Sequence, residues 1–550
     1  MILFRATDSG PIQSLQYRTT IRFRFIFTYL GASRLFGKSG SACSGAARYT
    51  CPLRERLSRY AARNPARRAE EFAGSAPENP RDSRPCFDRT LAGCKDEFRS
   101  EDGRIYVLIN DFRGWLEHLE ARGRLRRVRH TVRLQHELAA LSHKLDGESA
   151  VLFEATDGAP MPVAANIACR REWYAEAMGV APEQLLREVR LRQEIRIAPK
   201  EVSDAPFLEN IQTGKIDIRN LLPLPTYHEL DGGPYISAGV FFAKDPETGE
   251  GNVSIHRMQA LGPDLFGLLV LPHHLKGMLR RAGERGDALK VAVCVGLDPL
   301  LLMASQLVLS PGENELEAAG GLRGQAVEVA PAPWSGIPVP AGAEIVIEGE
   351  IPLGERRREG PFGEFPRTYS PAAEREVFRV KSLAMRKNPV FYSIVAAGFD
   401  HLLMGAVPRE AGLLHDLQKA VPSVTGAALP LSGAGRFHCV VQLDKQSEGE
   451  GKSALMAALA SHYDVKHAIC VDRDIDIHDP AQVDWALATR FQADRDLFVV
   501  PGTWGSHLDP SASGGVTAKM GLDATAPVGG LEGAFRSLKI PGAEKADFGE

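Results

Sequence analysis

The chain lacks any apolar run long enough to cross a bilayer, which excludes a helical membrane span. It also lacks a Cys-x-x-Cys pair. Its eight cysteines are scattered, four of them before residue 95, so neither a disulfide framework nor a cysteine zinc site is indicated. That usage fits a reducing, cytoplasmic setting. No charge of one sign dominates. The net of −3 gives no electrostatic reason to expect nucleic acid or an anionic membrane as a partner. There is no Gly-x-Gly-x-x-Gly fingerprint. Methionine is missing between Met1 and Met161, and acids are scarce at the start: residues 1–60 hold ten Lys and Arg against Asp8 and Glu55. Such a beginning suits an organelle transit peptide, a disordered arm, or a start assigned upstream of a true one near Val107 or Leu108. Disorder or a spurious extension is the preferred expectation for residues 1–104, with no part in catalysis.

What remains is ordinary globular sequence, 44% hydrophobic and 25% charged, and too long for one core. Two or three domains are expected. Residues 105–208 read as a small α/β domain. Asp111 can cap a helix with Phe112, Trp115, Leu116 and Leu119 on one face and Gly123 at its end. Residues 209–395 read as many short strands with Gly/Pro turns, a barrel or a sandwich. Residues 408–502 alternate helix and strand in an α/β pattern. Residues 503–550 form a Gly-, Pro- and Ser-rich tail in which Ser537–Ile540 is a possible closing strand or dimer contact. The class is α+β and multi-domain.

The most informative stretch is Glu359-Gly-Pro-Phe-Gly-Glu364. Glycine and proline imply a fixed bend that holds two carboxylates near one point. Burial and mutual repulsion there raise at least one pKa, which turns a carboxyl group into a proton donor near neutral pH. An isolated pair of this kind is more often a solvated turn. Three further motifs change that reading: Asn252-Val-Ser-Ile-His-Arg257, Pro272-His-His274 and Glu313-Asn-Glu315. Together, in this order, the four closely resemble the UbiD family of decarboxylases, from about Asp111 to Pro541. The resemblance implies prenylated FMN as cofactor, held in a split β-barrel similar to flavin reductases.

Asn252, His274 and Glu315 offer a carboxamide, an imidazole and a carboxylate, a set that suits Mn²⁺ or Mg²⁺ better than zinc. In the family the matching residues bind Mn²⁺, which bridges to the flavin phosphate. His274 is preferred over His273 by the family's Pro-x-His pattern, and His273 would face cofactor or substrate. K⁺ is also implied, with Ser305, Glu315 and main-chain oxygens near Val253, Ala304 and Leu307 as ligands. Ser254, Ile255, His256 and Arg257 complete the cofactor-facing set. Arg257 lies about 16 Å along an extended strand from Asn252, comparable with the span from a flavin's phosphate to its rings. Lys452 ends Gly449-Glu-Gly-Lys-Ser453, which fails as a P-loop because position 446 is Gln. A lysine at the matching family position contacts the flavin phosphate. The acidic run Asp472–Asp476 reads as a solvated strand end rather than a calcium loop.

The resemblance implies an Arg257–Glu359–Glu364 network, a covalent substrate–cofactor adduct, departure of CO2, and proton delivery assigned to Glu364. Arg257 and Glu359 would tune and orient, while His401 and Phe365 would line the substrate pocket. The function implied is reversible, non-oxidative decarboxylation of an aromatic, heteroaromatic or α,β-unsaturated carboxylic acid. A flavin prenyltransferase must supply the cofactor, and a homodimer or an assembly of dimers is expected. One alternative is the 4-hydroxy-3-polyprenylbenzoate decarboxylase of ubiquinone synthesis. Another, of a different class, is a non-catalytic flavin-binding or assembly subunit; retention of all three network residues argues against it.

Overall fold

The computed structural model describes residues 97–99, 105–107, 111–271, 274–310, 312–538 and 540–542. His273 lies outside these residues, as does the expected extension 1–104 apart from Glu97–Arg99, which pairs antiparallel with Ile105–Val107. The first helix, Phe112–Ala121, matches expectation. Asp111 accepts a hydrogen bond from Gly114 N at 2.8 Å, and Phe112, Trp115, Leu116 and Leu119 are buried. The nearby four-stranded sheet combines Leu125–Val128, Ala150–Phe153 and Val163–Ala165 with a strand from far along the chain, Phe391–Tyr392, which joins in parallel.

The middle of the chain is a ten-stranded sheet whose pairings are all antiparallel. Its hub is the 13-residue strand Ala373–Met385. This strand pairs with Ile345–Ile351, Leu265–Leu268, Arg356–Glu359 and Asn210–Thr213. One strand can serve four partners because it bends at a bulge beside Gly349. A side chain at Gly349 would drive its Cβ into the Arg379 carbonyl. The path ends at Gly251–Ile255 on one side and Tyr235–Ile236 on the other, and no closed barrel forms among the described residues. Among the described residues, four helices interrupt what reads in sequence as strands alone: Ile218–Leu221, His274–Glu284, Pro299–Ala304 and Glu315–Arg323.

Helix Phe399–Ala420 leads into a five-stranded sheet of order Val424–Ala428, His438–Leu443, His467–Asp472, Val516–Ala524, Leu497–Trp504. Its central pairings are parallel. Successive residues of these strands feed opposite faces. Cys439, Val441 and Cys470 join one core with Leu455 and Leu413, while Val440, Ile469 and Val471 join another with Val483.

Two expectations are revised here. The run Asp472–Asp476 is exposed at Asp474 and Asp476 but not at Asp472. Asp472 is buried, and Asp472 and Asp474 both bind the buried guanidinium of Arg490, at 2.6 to 2.9 Å. The arginine that ends helix Pro480–Arg490 thus holds Asp472 inside. Ser537–Ile540 forms no strand among the described residues, and Leu538 and Ile540 are exposed. Among the described residues, no helix is long and apolar enough to cross a membrane.

Candidate active site

The motif residues converge on one cavity of about 880 Å³. At one end, Arg257 follows the strand Gly251–Ile255 instead of lying on it. The strand breaks at His256, so Asn252 and Arg257 do not share the single extended strand expected. His256 Nδ1 sits 3.1 Å from the Leu269 carbonyl, an acceptor only. Nδ1 therefore carries a proton, and Nε2 lies 3.0 Å from Ser254 Oγ, which also donates to Asn252 Oδ1 at 3.2 Å.

Arg257 is buried and binds Glu359 with both arms of its fork: Nε donates to Oε1 and Nη2 to Oε2, each at 2.9 Å. Its Nη1 donates to Glu364 and, at 2.8 Å, to Ser370 Oγ. The Phe362 ring lies 4.9 Å below the guanidinium. Glu359 closes strand Arg356–Glu359, and the short pairing of Phe362–Gly363 with Tyr369–Ser370 pins the bend. Gly360 takes a φ of +90° there, a conformation that favours glycine. Gly360 N is held by Gln259 Oε1 at 2.8 Å, and Gly363 N by Asp231 Oδ1 at 2.9 Å.

The two carboxylates differ in position. Glu364 lines the cavity. Glu359 is 0% exposed and sits behind Arg257, outside the lining. Burial lifts the Glu364 carboxyl above its ordinary value, against the pull of Arg257 and Arg436 and with help from Glu359.

Elsewhere on the cavity wall stand Asn252, His274 and Glu315. Glu315 opens helix Glu315–Arg323, where the helix dipole favours an anion. It accepts hydrogen bonds from Val253 N at 3.0 Å and Asn252 Nδ2 at 3.2 Å, both neutral donors. Burial raises its carboxyl. A buried carboxylate facing a carboxamide and an imidazole, with only neutral donors, fits a hard cation. Among the described residues no three His, Cys, Asp or Glu side chains are grouped to hold an ion, but this set counts an asparagine. His274 begins helix His274–Glu284 and is exposed. Ser254, Ile255 and Ser305 also line the cavity. Lys452 does not. It is exposed, and its Nζ donates to the Arg495 carbonyl at 2.6 Å.

His401 and Phe365 line the cavity as expected. Ala397 N donates to His401 Nδ1 at 3.1 Å, and burial, with Arg436 and Arg409 nearby, lowers the imidazole to about 3. It is therefore neutral and presents Nε2–H. Sequence reasoning missed both arginines. They meet over Gly405, where an added Cβ would lie 2.8 Å from Arg409 Nη1 and 3.2 Å from Arg436 Nη2. Arg436 also stacks 4.2 Å over Phe365. Burial and the neighbouring guanidinium lower Arg409 to about 10. The available signal was a glycine and Pro408 within one turn of a helix, a place where neither is favoured. Tyr235, Gln259 and Ser370 were missed too, and each lies on a short strand flanking the bend.

Three family descriptions match the chain: the N-terminal, Rift-related and C-terminal domains of 3-octaprenyl-4-hydroxybenzoate carboxy-lyase, over residues 116–192, 200–399 and 402–524. Among curated relatives, the anhydromevalonate phosphate decarboxylase of Methanothermobacter thermautotrophicus is 36% identical, over 68% of this chain and 87% of its own. The phenolic acid decarboxylase of Bacillus subtilis is 32% identical, over 77% and 93%. Among solved structures, the UbiD-class enzyme HmfF from Pelotomaculum thermopropionicum in complex with FMN superimposes with a TM-score of 0.78. It is 43% identical, over 80% of this chain and 99% of that one. An evolved dimeric form of the same enzyme with prFMN gives a TM-score of 0.75 at 40% identity, with the same coverage.

Proposed function

This chain belongs to the UbiD family of carboxy-lyases, and from that premise we propose that it decarboxylates an aromatic, heteroaromatic or α,β-unsaturated carboxylic acid with prenylated FMN, using Glu364 as proton donor. The observation that carries the assignment is the asymmetry of the two acids: Glu364 faces the cavity, and Glu359 is sealed behind Arg257. The bound flavin would supply the electron sink that loss of CO2 requires. A split-barrel holder for it is our reading of the central sheet. The cavity size and the FMN and prFMN complexes of the similar HmfF support that reading.

Asn252, His274 and Glu315 would hold a divalent cation, Mn²⁺ or Mg²⁺, that neutralises the flavin phosphate. Ser305 and the carbonyls near Val253, Ala304 and Leu307 would hold K⁺. Arg257 orients the substrate carboxylate and holds Glu359 as its charge partner. The proton on Glu364 passes to the carbon that CO2 has left, and water replenishes it from the open side. Lys452 is too exposed to be given a share in phosphate binding.

Arg409, Arg436 and His401 sharpen the substrate class. Two guanidiniums and an imidazole N–H on the cavity wall favour an acid that carries a second polar or anionic group away from the reacting carboxylate. Relatives named for a phosphorylated acid and for phenolic acids are consistent with this. The test is to co-express the chain with a flavin prenyltransferase, identify the released cofactor by mass, and screen CO2 release across mono- and dicarboxylic aromatic, phenolic and phosphorylated unsaturated acids. Prenylated FMN together with turnover is expected. Plain FMN with no turnover of any acid, under conditions that load a family member, would overturn the reading.

A further inference from the structure

Glu359 and Glu364 share one arginine, and something must decide which of them holds the mobile proton. Charge repulsion between neighbouring carboxylates allows one proton on the pair near neutral pH, but does not say where it sits. The hydrogen-bond inventory around the two acids is unequal. Glu359 accepts both arms of Arg257 and also the Tyr235 hydroxyl, at 3.1 Å to Oε1. Tyr235 is fully buried, and its ring is fixed against Phe362 with centroids 4.4 Å apart. Its next acceptor, the Pro361 carbonyl, is farther, at 3.4 Å. Gly267 makes room on the other side of Glu359: a Cβ there would lie 3.1 Å from Glu359 Cβ and Cγ. Glu359 is thus enclosed by donors and packing. Glu364 has the shared Nη1 of Arg257, the Ser370 hydroxyl, which also accepts from that Nη1, and the cavity in front of it.

We propose that Tyr235 is a positioning residue that fixes the negative charge on Glu359 and so places the transferable proton on Glu364. Its hydroxyl donates a hydrogen bond that an ionised carboxylate accepts more strongly than a neutral carboxyl does. Burial, then the charge of Glu359, pushes the phenol well above its ordinary value, so Tyr235 remains a donor at every working pH. The charged and titratable groups around the pair are Arg257 on its own turn, Tyr235 and Asp231 from the preceding segment, and Arg436 opposite Glu364. Of these, Tyr235 contacts Glu359 and leaves Glu364 untouched, so it discriminates between the two acids.

The inference rests on Glu364 being the donor, and the two can fail separately. If Glu364→Gln stays active, the donor assignment falls. If Glu364→Gln is inactive and the Tyr235 variants behave as wild type, only the role of Tyr235 falls. Tyr235→Phe keeps the ring and its packing and removes the hydroxyl. Part of the singly protonated pair then carries its proton on Glu359, where it is out of reach. With a hydrogen bond to a charged group worth about 1.5–3 kcal/mol, the balance of the proton should shift toward Glu359 by about tenfold to a hundredfold, and kcat of the loaded enzyme should fall by up to that factor with KM unchanged. The acid limb of the pH profile should move upward, because the lost donor had favoured ionised Glu359, and the alkaline limb, set by the proton on Glu364, should move less. Replacing Tyr235 with a fluorinated tyrosine strengthens the donor and should move the acid limb downward. A kcat drop with an unmoved acid limb in both variants, or no change at all, would overturn the proposal. Cofactor occupancy, read from flavin absorbance, serves as the check on folding.

Discussion

Two walls of the cavity are charged in opposite ways. At the bend, one guanidinium serves two carboxylates, with every arm of Arg257 engaged. Over Gly405, two guanidiniums crowd together, and the acid nearest Arg436, Asp464, stands 3.9 Å away. Arg409 Nε and Arg436 Nε have no hydrogen-bond partner among the described residues. The donors of the first wall are engaged within it, with Arg257 and Glu364 facing the cavity. The second has unspent donors, which is what a ligand-binding surface requires. On the proposed reading, the surplus of negative charge belongs to the wall that handles protons and the surplus of positive charge to the wall that grips.

The largest expected effect is on the closed wall. Arg257→Met leaves Glu359 buried without its partner, so a stability loss of about 3–5 kcal/mol by denaturant titration should accompany loss of turnover. Next, Glu315→Gln removes the negative charge from the proposed cation site. The purified protein should then retain little divalent metal by elemental analysis and less flavin, with the fold intact by circular dichroism. On the gripping wall, Arg409→Met should raise KM for a substrate with a second anionic group by roughly tenfold to a hundredfold, and change kcat less. A monocarboxylic analogue should show little of that increase.

A subtler test links the walls. With Glu364 as the proposed donor, the rate should fall as pH rises through the carboxyl's elevated pKa. Arg436 pulls that value down. Arg436→Gln should therefore move the alkaline limb of the kcat profile to higher pH. The smallest effect belongs to Lys452→Met, expected to alter kcat and flavin retention by less than about twofold, because its ammonium is exposed and turned to a carbonyl.

The two acids of the closed wall were legible in sequence because they are local, whereas Arg257, 102 positions before Glu359, joined them only through the family resemblance. Glu359 and Glu364 sit in one Gly/Pro bend, and a loop of that composition announces a fixed turn. The first helix was legible for the same reason, since cap and apolar face lie within one short segment. The gripping wall was not. Arg409 and Arg436 are 27 positions apart, and each alone reads as a surface arginine. What joins them is a missing Cβ at Gly405, visible only once the helix and the following loop are packed. Tyr235 failed for a related reason. It reads as the start of an apolar strand, and its hydroxyl acquires meaning only when a bend 124 residues later arrives beneath it. The acidic run Asp472–Asp476 misled at Asp472 because Arg490, its buried partner, comes from a separate helix. Nor does any sequence signal show that Phe391–Tyr392 completes a sheet begun before residue 166.

The most direct test of the central claim is CO2 release by Glu364→Gln, loaded by a flavin prenyltransferase and measured beside wild type at equal cofactor occupancy. Glutamine keeps the shape and the contact with Arg257 but has no acidic proton to give. The expected result is undiminished flavin binding with turnover reduced by about a thousandfold or more. Turnover near the wild-type rate would contradict the assignment of Glu364 as proton donor.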